Sequence, residues 1–102
     1  MKIFIKIHKS HNIRPIVAIC DSNLLGKKFE EGIRQLDVRE NFYKGEEMNK
    51  EEVIKIIKRQ TLEDASFNIV GEESIQIALE AGLINKERIH KIKGIPFTLI
   101  LL

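Results

Sequence analysis

The sequence has no tryptophan, one tyrosine, two prolines and a single cysteine among its 102 residues. A lone cysteine excludes an internal disulfide. With only three histidines beside it, it also excludes a cysteine-rich zinc cage. No apolar run reaches the roughly 18 residues that a membrane-spanning helix needs. The opening "MKIFIKIHK" interleaves lysine with isoleucine, unlike the unbroken apolar stretch of a signal peptide. Neither a G-x-G-x-x-G fingerprint nor a phosphate-binding G-K-[ST] loop occurs. The expectation is one cytoplasmic domain over residues 1–102, with no membrane anchor, no metal and no cofactor.

What is present is aliphatic and charged. Hydrophobic residues make up 43%, ample for a core of the domain's own. Charged residues make up 31%, chiefly Lys and Glu, a balance typical of proteins from heat-loving organisms. The formal net charge of +2 hides a segregation: residues 1–28 carry +5, residues 29–84 carry −6 and residues 85–102 carry +3. Whether the two basic ends meet decides what the surface can bind.

Periodicity predicts the elements. "KIFIKIHK" alternates as a strand with one buried face, and "IVAIC" is continuously apolar, as a central strand is. The turn-like "SHNIRP" between them predicts a hairpin. After Cys20, Asp21 or Ser22 is a fitting N-cap for a short helix through Leu25 and Phe29, stopped by Gly32. "IRQLDV" reads as a third strand. Asn49 with Glu52 spells a capping box, and Met48 with Val53 a hydrophobic staple, so a second helix starts there. "SFNIVG" then "EESIQIALEAG" is a strand, a glycine turn and a third helix, closed at Gly82–Leu83 by a Schellman turn. "RIHKIKG" and "IPFTLILL" supply the last strands. The fold expected is α/β, a mixed sheet of about five strands with three helices. One parallel strand–helix–strand crossover lies near the C-terminus.

Cys20 has two readings. As a nucleophile it would sit at a helix start beside a strand end, with His8 or His11 as base and Asp21 orienting the imidazole. As core it is a small buried side chain closing a strand, and no cysteine-nucleophile signature surrounds it. His8, His11 and His90 are too scattered for a metal site. Gly71 opens a helix after a strand, but Glu72 and Glu73 fill the first turn and repel a phosphate.

The stretches "KIHKS", "VAICDSNLLGKKFEEG", "LDVRENFYKGEE" and "NIVGEESIQIALEAGLINKERIHKIKGIPF" together resemble a family of short archaeal proteins, domain of unknown function 424. The most specific element is Cys20, Asp21, Leu24, Leu25, Gly26 and Lys27, with Asn68, Val70, Gly71 and Glu72 as a second. The resemblance implies a small archaeal cytoplasmic protein and no established activity. It also implies a polar, histidine-bearing tail after Gly-x-Pro, where this chain has "FTLILL".

Three functions are consistent with these residues. The leading one is a non-enzymatic accessory module for RNA or a ribonucleoprotein, linked to translation. In it Lys2, Lys6, Lys9, Arg14, Lys27, Lys28, Lys91 and Lys93 form the contact surface. The second is a small enzyme using Cys20. The third is a protein-interaction module or a homodimer built through the apolar C-terminal strand.

Overall fold

The computed structural model describes residues 2–10 and 13–101. In β1 (Ile3–Ser10) the alternation sends Ile3, Ile5 and Ile7 into one core and Phe4 into another on the opposite face. β1 folds back antiparallel on β2 (Ile13–Asp21), with Phe4 opposite Cys20 and His8 opposite Ile16. This is the expected hairpin; His11 in its turn lies outside the described residues.

The stretch after β2 departs from the expectation. Instead of a three-turn helix, Ser22–Leu24 make one 3₁₀ turn and the chain then becomes extended. Gly26 at φ +82° is off the helical path, and its N–H donates to the Val38 carbonyl at 2.7 Å. β3 (Lys28–Glu31) and β4 (Arg34–Asp37) follow as a ribbon, with Gly32 (φ +63°) in its turn rather than stopping a helix. "IRQLDV" is a strand as expected, but it pairs with β3 and stays out of the main sheet. A one-turn α1 (Glu40–Tyr43) and a short β5 (Glu46–Met48) complete this part.

α2 (Lys50–Leu62) begins with the expected capping box. The Glu52 N–H donates to Asn49 Oδ1, and the Asn49 N–H to Glu52 Oε1, both at 3.0 Å. β6 (Ser66–Val70) lies parallel to β2. α3 (Glu72–Glu80) ends in the expected Schellman pair, Leu83 N–H to the Ala78 carbonyl and Gly82 N–H to the Leu79 carbonyl. β7 (His90–Ile92) and β8 (Ile95–Ile100) form the last hairpin.

The main sheet has six strands, one more than expected, in the order β5-β1-β2-β6-β8-β7. β5 was not among the expected strands, whereas "IRQLDV", which was, pairs outside this sheet. The C-terminal crossover is β6–α3–β7. β8 is antiparallel to both β6 and β7, so β7 runs parallel to β6 with β8 inserted between them.

α2 and α3 cover one face, burying Ile3, Ile5, Val17, Ile19, Phe67 and Ile69. The other face receives α1 and the β3–β4 ribbon. Tyr43, Leu36, Val38 and Leu24 pack there on Ala18, Cys20, Val70 and Ile92. Ala18 and Cys20 are small, so this second layer sits close to β2. Its cover reaches only half of the face.

Candidate functional site

Asp21 ends β2 on the helix-covered face, where α3 begins. Gly71 is the residue before α3 and brings no side chain to cap it. Asp21 supplies the cap from another strand. Its Oδ2 accepts from the Glu73 N–H at 3.1 Å. Its Oδ1 accepts from the Ser74 N–H at 2.8 Å and from Ser74 Oγ at 2.7 Å. Both amides are among the four that a helix start leaves unpaired. Gly71 has φ +113°, and a Cβ there would overlap the Asp21 carboxyl group. Its N–H donates to the Pro96 carbonyl at 2.9 Å, so the clasp joins β2, α3 and β8. The two most specific stretches of the sequence, around Cys20–Lys27 and Asn68–Glu72, are therefore two halves of one structural device.

Cys20 is fully buried, and burial, followed by the charge of Asp21, pushes its thiol up to about 12. Its side chain points away from Asp21, into the layer under Tyr43. His8 is four residues along the hairpin from it, about 13 Å at strand spacing. His8 has another role: its Nε2–H donates to the Phe42 carbonyl at 2.8 Å, and its ring stacks on Phe42 at 4.6 Å. A carbonyl only accepts, so Nε2 carries the proton and is no base. The Cys20–His8–Asp21 arrangement is not assembled, because one member is core, one a stacking partner and one a helix cap. The alternative base, His11, lies outside the described residues.

Two buried protons follow from this packing. Tyr43 is likewise raised to about 12, first by burial and next by neighbouring Cys20. Folded protein holds protons that the unfolded chain releases near the ordinary values of 9.0 and 10.0, so rising pH favours unfolding. The denaturation midpoint is expected to be flat up to about pH 9 and to fall from there towards pH 12. Cys20→Ala should remove the part of the fall that begins first and leave the part due to Tyr43. An alkaline limb identical in parent and variant would show that Cys20 does not hold its proton in the fold.

The basic residues do not converge. β1 and β7 are separated by three strands, about 19 Å between their axes. Lys6 lies on the face that carries α1, where its Nζ donates to the Asn41 carbonyl at 2.9 Å. Lys91 is in register with Pro96 and so lies on the α2–α3 face. Lys2 is 3.9 Å from Glu47, and Lys28 stands opposite Asp37 in the ribbon. Lys93 is in the β7–β8 turn, its N–H donating to Glu31 Oε1 at 2.7 Å. The single surface expected from eight cations is replaced by dispersed ones, because three strands separate the two basic ends of the chain.

What sequence reasoning missed is the bare half of the second face. Beyond Ala18, which the second layer covers, the sheet continues through the row Ile16–Ser66 on β2 and β6 and through Leu99 on β8, where the cover thins out. Ile16 is 36% exposed, Leu99 49% and Leu101, just past the strand, 72%. Lys6 and His8 border this patch on β1, and Arg14 lies below Ile16. Its signal was present in the alternation of "FTLILL", which sends Leu99 and Leu101 to one side. A groove of about 810 Å³ runs beside α3, with Ile75, Leu79 and Ile89 under Lys91 and Glu72. Among the described residues no three His, Cys, Asp or Glu side chains are placed to hold a metal ion. Among the described residues no helix is long and apolar enough to cross a membrane.

These features define a small mixed α/β domain with α2 and α3 on one face of the sheet, a half-length cover on the other, and α3 capped from a neighbouring strand. The chain belongs to the family described as protein of unknown function (DUF424), whose model matches residues 8–102. It is similar to an uncharacterized conserved protein from Methanopyrus kandleri, with 26% sequence identity and a TM-score of 0.86. That match covers 98% of this chain and 90% of the other. A search of curated proteins returned no match.

Proposed function

We propose that this protein is a non-enzymatic accessory module that docks an acidic, aliphatic-bearing segment of another protein on the bare half of its sheet. The observation behind this reading is Ile16, Leu99 and Leu101 exposed together on one side, bordered by Lys6, His8 and Arg14. Exposed aliphatics flanking a polar strip, here Ile16 and Leu99 on either side of Ser66 and Asn68, suit a protein contact better than a purely solvated surface. The rim is basic. Among the described residues Lys6 and Arg14 take part in no ion pair within 4.0 Å, so their charges are not neutralised within the chain and suit an acidic partner. RNA fits this patch less well. Single strands are held by stacking bases on aromatic faces, whereas the floor here is aliphatic and Phe42 already stacks with His8.

The test is capture from nuclease-treated native extract by the full chain and three variants. Wild type and Lys91→Glu are expected to retain the same acidic protein, while Leu99→Glu and Arg14→Glu lose at least about tenfold of it. Capture abolished by nuclease alone would replace this reading with the RNA one. Capture unaffected by Leu99→Glu and Arg14→Glu would remove the patch from the account.

A further inference from the structure

We infer that the open lane beside α3, over β7, receives a short helix of another protein, aliphatic on the face laid against the sheet and carrying lysine or arginine on the flank towards α3. The six strands are wider than the two helices laid on them. α2 packs over β1, and α3 over β2, β6 and β8. β7 lies two strands from β6, about 10 Å away. Neighbouring helices pack with their axes about 8–10 Å apart, so a further helix beside α3 would lie over β7. The other face of β7 is already covered, since Ile92 is buried under the β3–β4 ribbon. The segment 82–89 fills the lane at its Ile100 end, where Thr98 Oγ1 donates to the Arg88 carbonyl at 2.9 Å. The end towards Pro96 is open.

The groove of about 810 Å³ lies there, with Ile75, Leu79, Ile89 and Pro96 as its floor, and runs on to the first turn of α2. From Glu72 to Leu79 α3 rises about 10 Å, the length of two helical turns in the occupant. Charge selects that occupant. The groove is lined by Glu51, Glu72, Glu73 and Glu80 against Lys50 and Lys91. Glu80 is matched by Lys50 at 2.6 Å, which leaves three carboxylates facing one ammonium. A cation on a long aliphatic stem fits such a wall: the stem lies on Ile75 and Leu79, and the charge meets Glu72 or Glu73. A second copy of this chain would bring α3 against α3, acid against acid, so the partner is a different protein. The lane is on the opposite face of the sheet from Ile16 and Leu99, and this inference stands independently of the docking proposed there. With both surfaces occupied, the domain would join a basic partner to an acidic one.

Methyl NMR of the full chain, titrated with a leucine–lysine amphipathic peptide of about 14 residues, long enough to hold a helix, reads this out. The methyls of Ile75, Leu79 and Ile89 are expected to shift, and those of Ile16 and Leu99 to stay where they are. A two-turn contact is small, so binding should be weak and should fall with added salt. Glu72→Lys should weaken it about fivefold, and Lys91→Glu, which removes the opposing charge, should tighten it. The leucine–glutamate counterpart of the peptide should not bind. No shift at Ile75, Leu79 and Ile89 in millimolar peptide, an equal response to both peptides, or an affinity unmoved by both substitutions overturns the inference. Arg14→Glu separates it from the docking on the other face, since that variant should lose partner capture and bind the peptide like its parent.

Discussion

Gly71→Ala is expected to leave a protein that melts about 15–30 °C below its parent. The added methyl would come within 2.6 Å of both carboxylate oxygens of Asp21. The backbone at φ +113° adds its own strain, on the order of 1–3 kcal/mol for a side-chain-bearing residue. Asp21 has nowhere to retreat, because the Glu73 and Ser74 amides and the Ser74 hydroxyl hold it. Relieving the clash means breaking the cap, so strain and lost hydrogen bonds combine to about 4 kcal/mol. A domain of this size has only about 5–15 kcal/mol in total. Thermal unfolding followed by circular dichroism reads the shift. A loss of under about 3 °C would mean that Gly71 and Asp21 do not meet as described.

The second large effect belongs to Asp21→Ala, expected to cost about 3 kcal/mol. The substitution strands two amides and a hydroxyl where water is scarce, since Asp21 and Ser74 are 5% and 1% exposed. Asp21→Asn keeps one acceptor oxygen and should lose roughly half as much. Urea denaturation should show the midpoint falling with an unchanged slope, the mark of lost stability without a changed fold. Wild-type stability in Asp21→Ala would return the carboxylate to the list of groups free for chemistry.

Much of this fold was legible because its signals are local. The capping box at Asn49 and Glu52, the Schellman turn at Gly82 and the alternation of Ile3, Ile5 and Ile7 each act within a few residues. The misread stretch after Cys20 shows where local rules stop. Asp21 and Ser22 are good caps for the helix that follows them in sequence, yet Asp21 caps one 50 residues further on. One clue was available. The helix opened by Gly71 has no Ser, Thr, Asp or Asn at its own cap position, so its first amides need an acceptor from elsewhere. The dispersal of the basic residues could not be read at all. It depends on β8 returning between β6 and β7 and on three strands separating β1 from β7, both properties of topology. Likewise the bare half-face exists only because the β3–β4 ribbon and α1 stop short of Ile16 and Leu99.

The assignment of roles follows from where the side chains are spent. Cys20 is core, His8 stacks on Phe42, and the Asp21 carboxylate is fully engaged with α3. The residues that looked like chemistry hold the sheet and helix together, and the aliphatics left exposed on the second face, Ile16, Leu99 and Leu101, are the surface on which the proposed docking rests.

The most direct test of that division is a double-mutant cycle between Asp21→Asn and Ser74→Ala, measured by chemical denaturation. If the carboxylate serves to anchor α3, the two losses overlap and the coupling is about 1–2 kcal/mol. Losses that simply add, with coupling near zero, would mean that Asp21 and Ser74 act independently and that the clasp does not hold the protein together.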